Sequence, residues 1–180
     1  TYINDSDKIM VIENKPFTKD FINILKNYTK LGFFAGYNLE LNNLPNTVEE
    51  LYLGYHYNQK LINLPNSITK LVLGYKYNQP LDYLPLSLLI LVLGHDFNQP
   101  LENLPNTITE IYIGPSYNHS LDTLPESVKI LNFDCNPYHS KFNQPIIRLP
   151  PNLIKFKLIS KEYNYPLTLP DTVTHLDLSM

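Results

Sequence analysis

The sequence predicts a solenoid of short parallel β-strands, one per coil, with an extended or 3-10 return in place of a helix. Three observations carry this. The stretch Leu91-Val-Leu-Gly-His-Asp-Phe-Asn-Gln-Pro-Leu-Glu-Asn-Leu-Pro105 recurs 20 residues upstream, at 71–85, and 20 residues downstream, at 111–125. Paired apolar residues stand two apart at 31/33, 51/53, 71/73, 91/93, 111/113, 131/133, 156/158 and 176/178, the alternation of a strand with one face buried. A period of 20 leaves too few residues for a strand, two turns and a full crossover helix. The Leu-Pro steps that close the coils agree, because a residue before proline is pushed out of the helical region.

Residues 1–30 lie outside the repeat and read as an N-terminal capping strand–helix unit. Lys8-Ile-Met-Val-Ile-Glu13 has the pattern of a strand. Pro16 then opens a segment in which Phe17, Phe21, Leu25 and Tyr28 fall at helical spacing, with Ile22 and Ile24 beside them. A repeat array needs a cap of this kind, since a bare terminal coil exposes its apolar interior.

Residues 31–180 form about seven repeats and a final partial coil. Prolines close the coils at 45, 65, 85, 105, 125, 150 and 170. An aromatic residue followed by asparagine stands at 37–38, 57–58, 77–78, 97–98, 117–118, 142–143 and 163–164. In the coil at 48–64, Val48, Leu51, Leu53, Tyr57, Leu61 and Leu64 share the inward phase. The aromatics therefore read as an interior spine rather than base-stacking rings. One coil buries too little to stand alone, so the array is expected to fold cooperatively. The asparagines sit where the chain leaves the strand and bends. An amide side chain there satisfies stranded backbone groups, so Asn38, Asn58, Asn78, Asn98, Asn118, Asn143 and Asn164 are expected to form a ladder. Gly54, Gly74, Gly94 and Gly114 follow the strand and suit a bend or a positive φ. The interval from Pro125 to Pro150 is five residues longer than the others, which places a surface insertion at 134–141. The last interval gains one residue before Tyr163 and loses one before Leu169. The sequence stops one residue after the strand at 176–179 with no C-terminal cap in view, as expected of a fragment or of a coil that something else covers.

The period, the Leu-x-Leu strand and the inward asparagine resemble a leucine-rich repeat of the α/β superhelix class, with strands on the concave face. Phe97-Asn-Gln-Pro-Leu101, echoed at 77–81 and 142–146, resembles the FNIP repeat more narrowly. The coils are shorter than that family's usual unit, and the asparagine falls two positions later than in the common leucine-rich pattern. The resemblance implies a binding scaffold. Members abound in amoebae and large DNA viruses, often behind an F-box that recruits a ubiquitin ligase. Residues 1–30 are too short to hold an F-box.

Composition excludes several classes. Net charge is −3, and no basic stripe marks a nucleic-acid surface. The apolar run at 88–93 is far too short to span a bilayer. A lone cysteine, Cys135, fits an intracellular, cytoplasmic setting. The sequons at Asn4, Asn27 and Asn118 read as chance in a chain rich in Asn, Ser and Thr. No phosphate-binding loop, HExxH or paired CxxC is present, so no catalytic residue, metal or cofactor is expected. His56, His95, His119, His139 and His175 occupy different phases and are not expected to converge. Asp134, Cys135 and His139 share the insertion, the one place where a nucleophile or a soft-metal site is conceivable.

The functional signal lies in the side chains that face outward from the strands. Glu50, Lys70, Ile90, Glu110, Ile130 and Lys155 form one row. Tyr52, Val72, Val92, Tyr112, Asn132 and Lys157 form a second, and Tyr55, Tyr75 and His95 begin a third. Val72, Ile90, Val92, Tyr112 and Ile130 would make an exposed apolar strip with charged margins, a common mark of a partner site. The expected function is a non-enzymatic scaffold that binds a protein through this face, or, alternatively, a structural protein that self-associates into a homodimer through its C-terminal coil or the sheet face.

Overall fold

The computed structural model describes residues 3–4, 9–13, 17–133 and 140–179. All ten strands lie in one sheet in chain order: β1 (Ile3–Asn4), β2 (Ile9–Ile12), β3 (Lys30–Phe33), β4 (Glu50–Tyr52), β5 (Lys70–Val72), β6 (Ile90–Val92), β7 (Glu110–Ile113), β8 (Ile130–Phe133), β9 (Lys155–Ile159) and β10 (His175–Ser179). β1 runs antiparallel to β2; every later pair is parallel. The fold is a leucine-rich-repeat-like solenoid with little helix, as the period predicts.

Register follows the repeat residue for residue. Glu50 pairs with Lys70, Lys70 with Ile90, Ile90 with Glu110, Glu110 with Ile130 and Ile130 with Lys155. Leu51, Leu71, Leu91, Ile111 and Leu131 are therefore stacked and fully buried, and the strand's alternation turns their neighbours outward. Behind them runs a column of rings. Tyr37, Tyr57, Tyr77, Phe97, Tyr117, Phe142 and Tyr163 stack with centroids 6.0–6.4 Å apart and planes within 12° of parallel. The rings pack one on the next along the interior, with the Tyr37 and Tyr57 hydroxyls buried among them without a hydrogen-bond partner among the described residues.

The N-terminal segment joins the same core. α1 (Lys19–Leu25) is capped by Thr18, whose hydroxyl accepts the Phe21 N–H at 3.3 Å, and it buries Leu25. Phe17 precedes the helix, and Tyr28 follows it. Phe17 meets Phe21 and Phe33, and Phe33 meets Tyr37, so the aromatic column continues into the helical segment. Pro16 lies outside the described residues.

One expectation about the backbone, a positive φ at the glycines, needs correction. None of the glycines has a positive φ among the described residues. Gly74 is required by proximity instead: a Cβ there would sit 1.9 Å from the Gly54 carbonyl oxygen, and one on Gly94 would sit 1.9 Å from that of Gly74. The positive-φ residues are Asn43, Asn63 and Asn103, just before Leu-Pro, where asparagine tolerates the left-handed region.

A hydroxyl column two residues after the closing prolines escaped the sequence reading. Ser67, Ser87, Thr107, Ser127 and Thr172 each donate to a carbonyl of the preceding coil, with Ser67 Oγ 2.6 Å from Val48 O and Thr107 Oγ1 2.8 Å from Leu88 O. Pro-x-Ser/Thr was its signal. Residues 134–139 of the expected surface insertion at 134–141 lie outside the described residues. The chain regains register at buried Ser140, whose carbonyl accepts from Ser160 Oγ at 2.9 Å.

Candidate functional site

Strand alternation leaves one face of the sheet without a covering layer, and the repeat aligns its side chains in rows. Val72, Ile90, Val92, Tyr112 and Ile130 are all half-buried there. Each is shielded by its row neighbours and keeps an outer surface in water. Tyr52 and Tyr112 lean on their own coils: the Tyr52 hydroxyl hydrogen-bonds the Glu50 carboxylate, and the Tyr112 hydroxyl donates to Glu110 Oε2 at 3.0 Å. Lys30 lies 3.2 Å and Lys70 4.0 Å from Glu50. Burial drags the Glu50 carboxyl upward, but the Tyr52 hydrogen bond and the two lysines outweigh it, and its pKa ends below the ordinary value. The N-terminal part of the face thus sets two lysines against one carboxylate.

The third row packs differently. Tyr55, Tyr75 and His95 stack ring on ring, with centroids 4.6 and 4.1 Å apart. Their faces cover one another, so the row presents edges rather than a platform for a sugar. Asp96 accepts from Lys76 at 2.8 Å and lies 2.6 Å from His95 Nδ1.

The face deepens toward β10. A depression of about 560 Å³ is lined by Tyr112, Ile130, Asn132, Lys155, Lys157 and Leu176, among others. It shares Ile130 and Lys155 with a second depression, and Tyr112 with a third that reaches Lys70 and Val92. The three form one trough across six strands. Lys157 meets Asp177 at 3.3 Å, while Lys155 is exposed. Asn132 Oδ1 lies out of water without a donor.

The asparagines are half-buried or exposed at the coil bend, not deep in the interior. Asn38, Asn58, Asn78, Asn98 and Asn118 each accept, through Oδ1, the backbone N–H of the next asparagine at 2.8–2.9 Å. Gln79, Gln99 and Gln144 add side-chain donors to Asn58, Asn78 and Asn118 at 3.2–3.4 Å, a second layer that the recurrent Asn-Gln step could have revealed. Asn143 Oδ1 is buried without a donor, because the residue added before Tyr163 displaces Asn164 from the ladder.

The remaining candidates stay apart. Among the described residues, no three His, Cys, Asp or Glu side chains could hold a metal ion, and no helix is long and apolar enough to cross a membrane. His119 donates from Nε2 to Asn98 O, and His175 contacts Thr174. Asp134, Cys135 and His139 lie outside the described residues.

Comparison with known proteins agrees with this geometry. The family model described as FNIP Repeat matches residues 37–76, 57–96, 77–116 and 142–180. No curated protein matches. Among solved structures, CroV588, titled a novel circular LRR protein structure, is similar over 84% of this chain, with 34% identity and a TM-score of 0.73. The chain spans about a quarter of the length of CroV588, as the match covers 24% of it.

Proposed function

The chain belongs to the FNIP repeat family, and from that premise we propose that it is a non-catalytic scaffold that holds a protein partner on the open face of its sheet. A leucine-rich-repeat-like solenoid is typically non-catalytic. One observation carries the reading: Val72, Ile90, Val92, Tyr112 and Ile130 form a half-buried strip, broken in its first row by Glu110 between Ile90 and Ile130, with Glu50, Lys70 and Lys155 at its margins. A solenoid needs no apolar residues on its solvent face to fold, whereas a partner site gains its affinity from them.

The test is a paired capture experiment. The wild-type chain and a Val92→Asp/Tyr112→Asp variant are immobilised at equal density and offered the same candidate partners. Partners held by the wild type are expected to be lost by the variant while its circular dichroism and unfolding midpoint stay unchanged. Undiminished capture by the folded variant rejects the open face. Recruitment of substrates for a ubiquitin ligase is the finer form of this function, and it is supported by the family alone.

Self-association is the second reading, supported by Leu176, half exposed on β10 at one edge of the sheet. A monomer by light scattering at high concentration removes it.

A further inference from the structure

The trough on the open face is long, apolar in the middle and cationic at one end. From β5 to β10 it crosses five interstrand steps of about 4.8 Å, roughly 24 Å, which an extended chain covers with about seven residues at ~3.4 Å each. A compact small molecule does not reach across it. Val92, Tyr112 and Ile130 form the apolar stretch. Glu110 accepts the Tyr112 hydroxyl and keeps its negative charge, while Lys157 is paired with Asp177. Lys155, in the same row as Ile130 and exposed where two depressions meet, has no ion pair among the described contacts. A bound backbone also brings N–H groups, and Asn132 Oδ1 is an acceptor without a donor that reaches one once its side chain turns outward.

We infer that the occupant of the open face is an extended acidic peptide segment, with apolar side chains on Val92, Tyr112 and Ile130 and a carboxylate on Lys155. This rests on the open face being the binding surface and adds the chemistry of the partner. Charge complementarity selects the carboxylate: Lys70, Lys129, Lys155 and Lys157 line the trough against Glu110 and Asp177, a cationic excess that is greatest around Lys155 and draws an acidic segment.

The experiment uses the full 180-residue chain and an array of end-blocked heptapeptides. Each has a central Leu or Phe and carries Asp, Asn, phosphoserine or Lys at one flanking position. Asp peptides are expected to bind about tenfold more tightly than their Asn counterparts, and raised salt should shrink the difference. Lys155→Glu is expected to reverse the order, so that Lys peptides bind best. Lys155→Ala is expected to erase the preference without weakening the Asn peptides. Tyr112→Asp is expected to weaken every peptide. The inference is overturned if no peptide binds, if the Asp preference survives Lys155→Glu, or if only phosphoserine peptides bind. Charge-blind binding that Tyr112→Asp abolishes also overturns it, yet leaves the open face intact as the partner site. Binding indifferent to Tyr112→Asp removes both.

Discussion

At the scale of single residues, neighbouring coils press against each other most closely at glycine. Gly74→Ala places a methyl group 1.9 Å from a backbone oxygen that cannot move without displacing its own coil. It should cost about 3 kcal/mol or more in urea unfolding, in the range reserved for overpacking and backbone strain. Gly36→Ala is the control, since a Cβ there meets nothing within 4 Å, and its effect should stay within about 0.5 kcal/mol. The buried tyrosines give a second residue-scale test. Burial pushes the Tyr37 hydroxyl up to about 12, and raises Tyr57, Tyr77 and Tyr117 further. Their unfolded forms ionise near pH 10. Below that pH both states keep the proton and the column adds no slope. Above it the unfolded state loses protons first, so stability should fall as pH rises from about 10 through 12. A urea series across that range, read beside phenolate absorbance, checks the sign; column tyrosines should ionise only as the chain unfolds.

At the scale of the element, each coil is a strand, a ring and an asparagine bend, and the bend is where coils differ most. Asn78 Oδ1 serves Asn98 N–H and Gln99, whereas Asn143 Oδ1 serves no donor. Asn78→Ala should therefore cost about 0.5–1.5 kcal/mol by removing the acceptor of the Asn98 N–H, and Asn143→Ala less than about 0.5 kcal/mol. If residues 1–30 act as a cap, Leu25→Ala should cost about 2–5 kcal/mol and loosen the first coils before the last. Much of this was legible in the sequence. A fixed period locks phase, so Leu51 and Tyr57 could be placed inside and Tyr52 outside from spacing alone. What spacing cannot convey is distance between coils. Gly74 read as a bend or a positive-φ position, though its place is one where two backbones touch. Nor could spacing show that Thr18 caps α1, or that Ile3–Asn4 folds back on β2, because neither lies in the repeat. The trough was half legible: Val92 and Tyr112 were assigned to one strip, but the meeting of Lys155, Asn132 and Leu176 depends on the altered final coils.

At the scale of the whole molecule, the proposed function assigns stability and binding to different columns of the same repeat. The leucines, rings, asparagines and hydroxyls join each coil to the next. The open-face side chains join coils through ion pairs such as Lys30–Glu50 and Lys157–Asp177, and the proposed function gives them the partner as well. Residue-resolved amide hydrogen exchange on the intact chain tests this division most directly. The N–H groups of Asn58, Asn78, Asn98, Asn118 and Asn143 should be protected together with the strand amides of their coils, and Val92→Asp/Tyr112→Asp should leave that protection unchanged. Asparagine amides that exchange as fast as those of an unstructured peptide, or protection that collapses in the open-face variant, would contradict it.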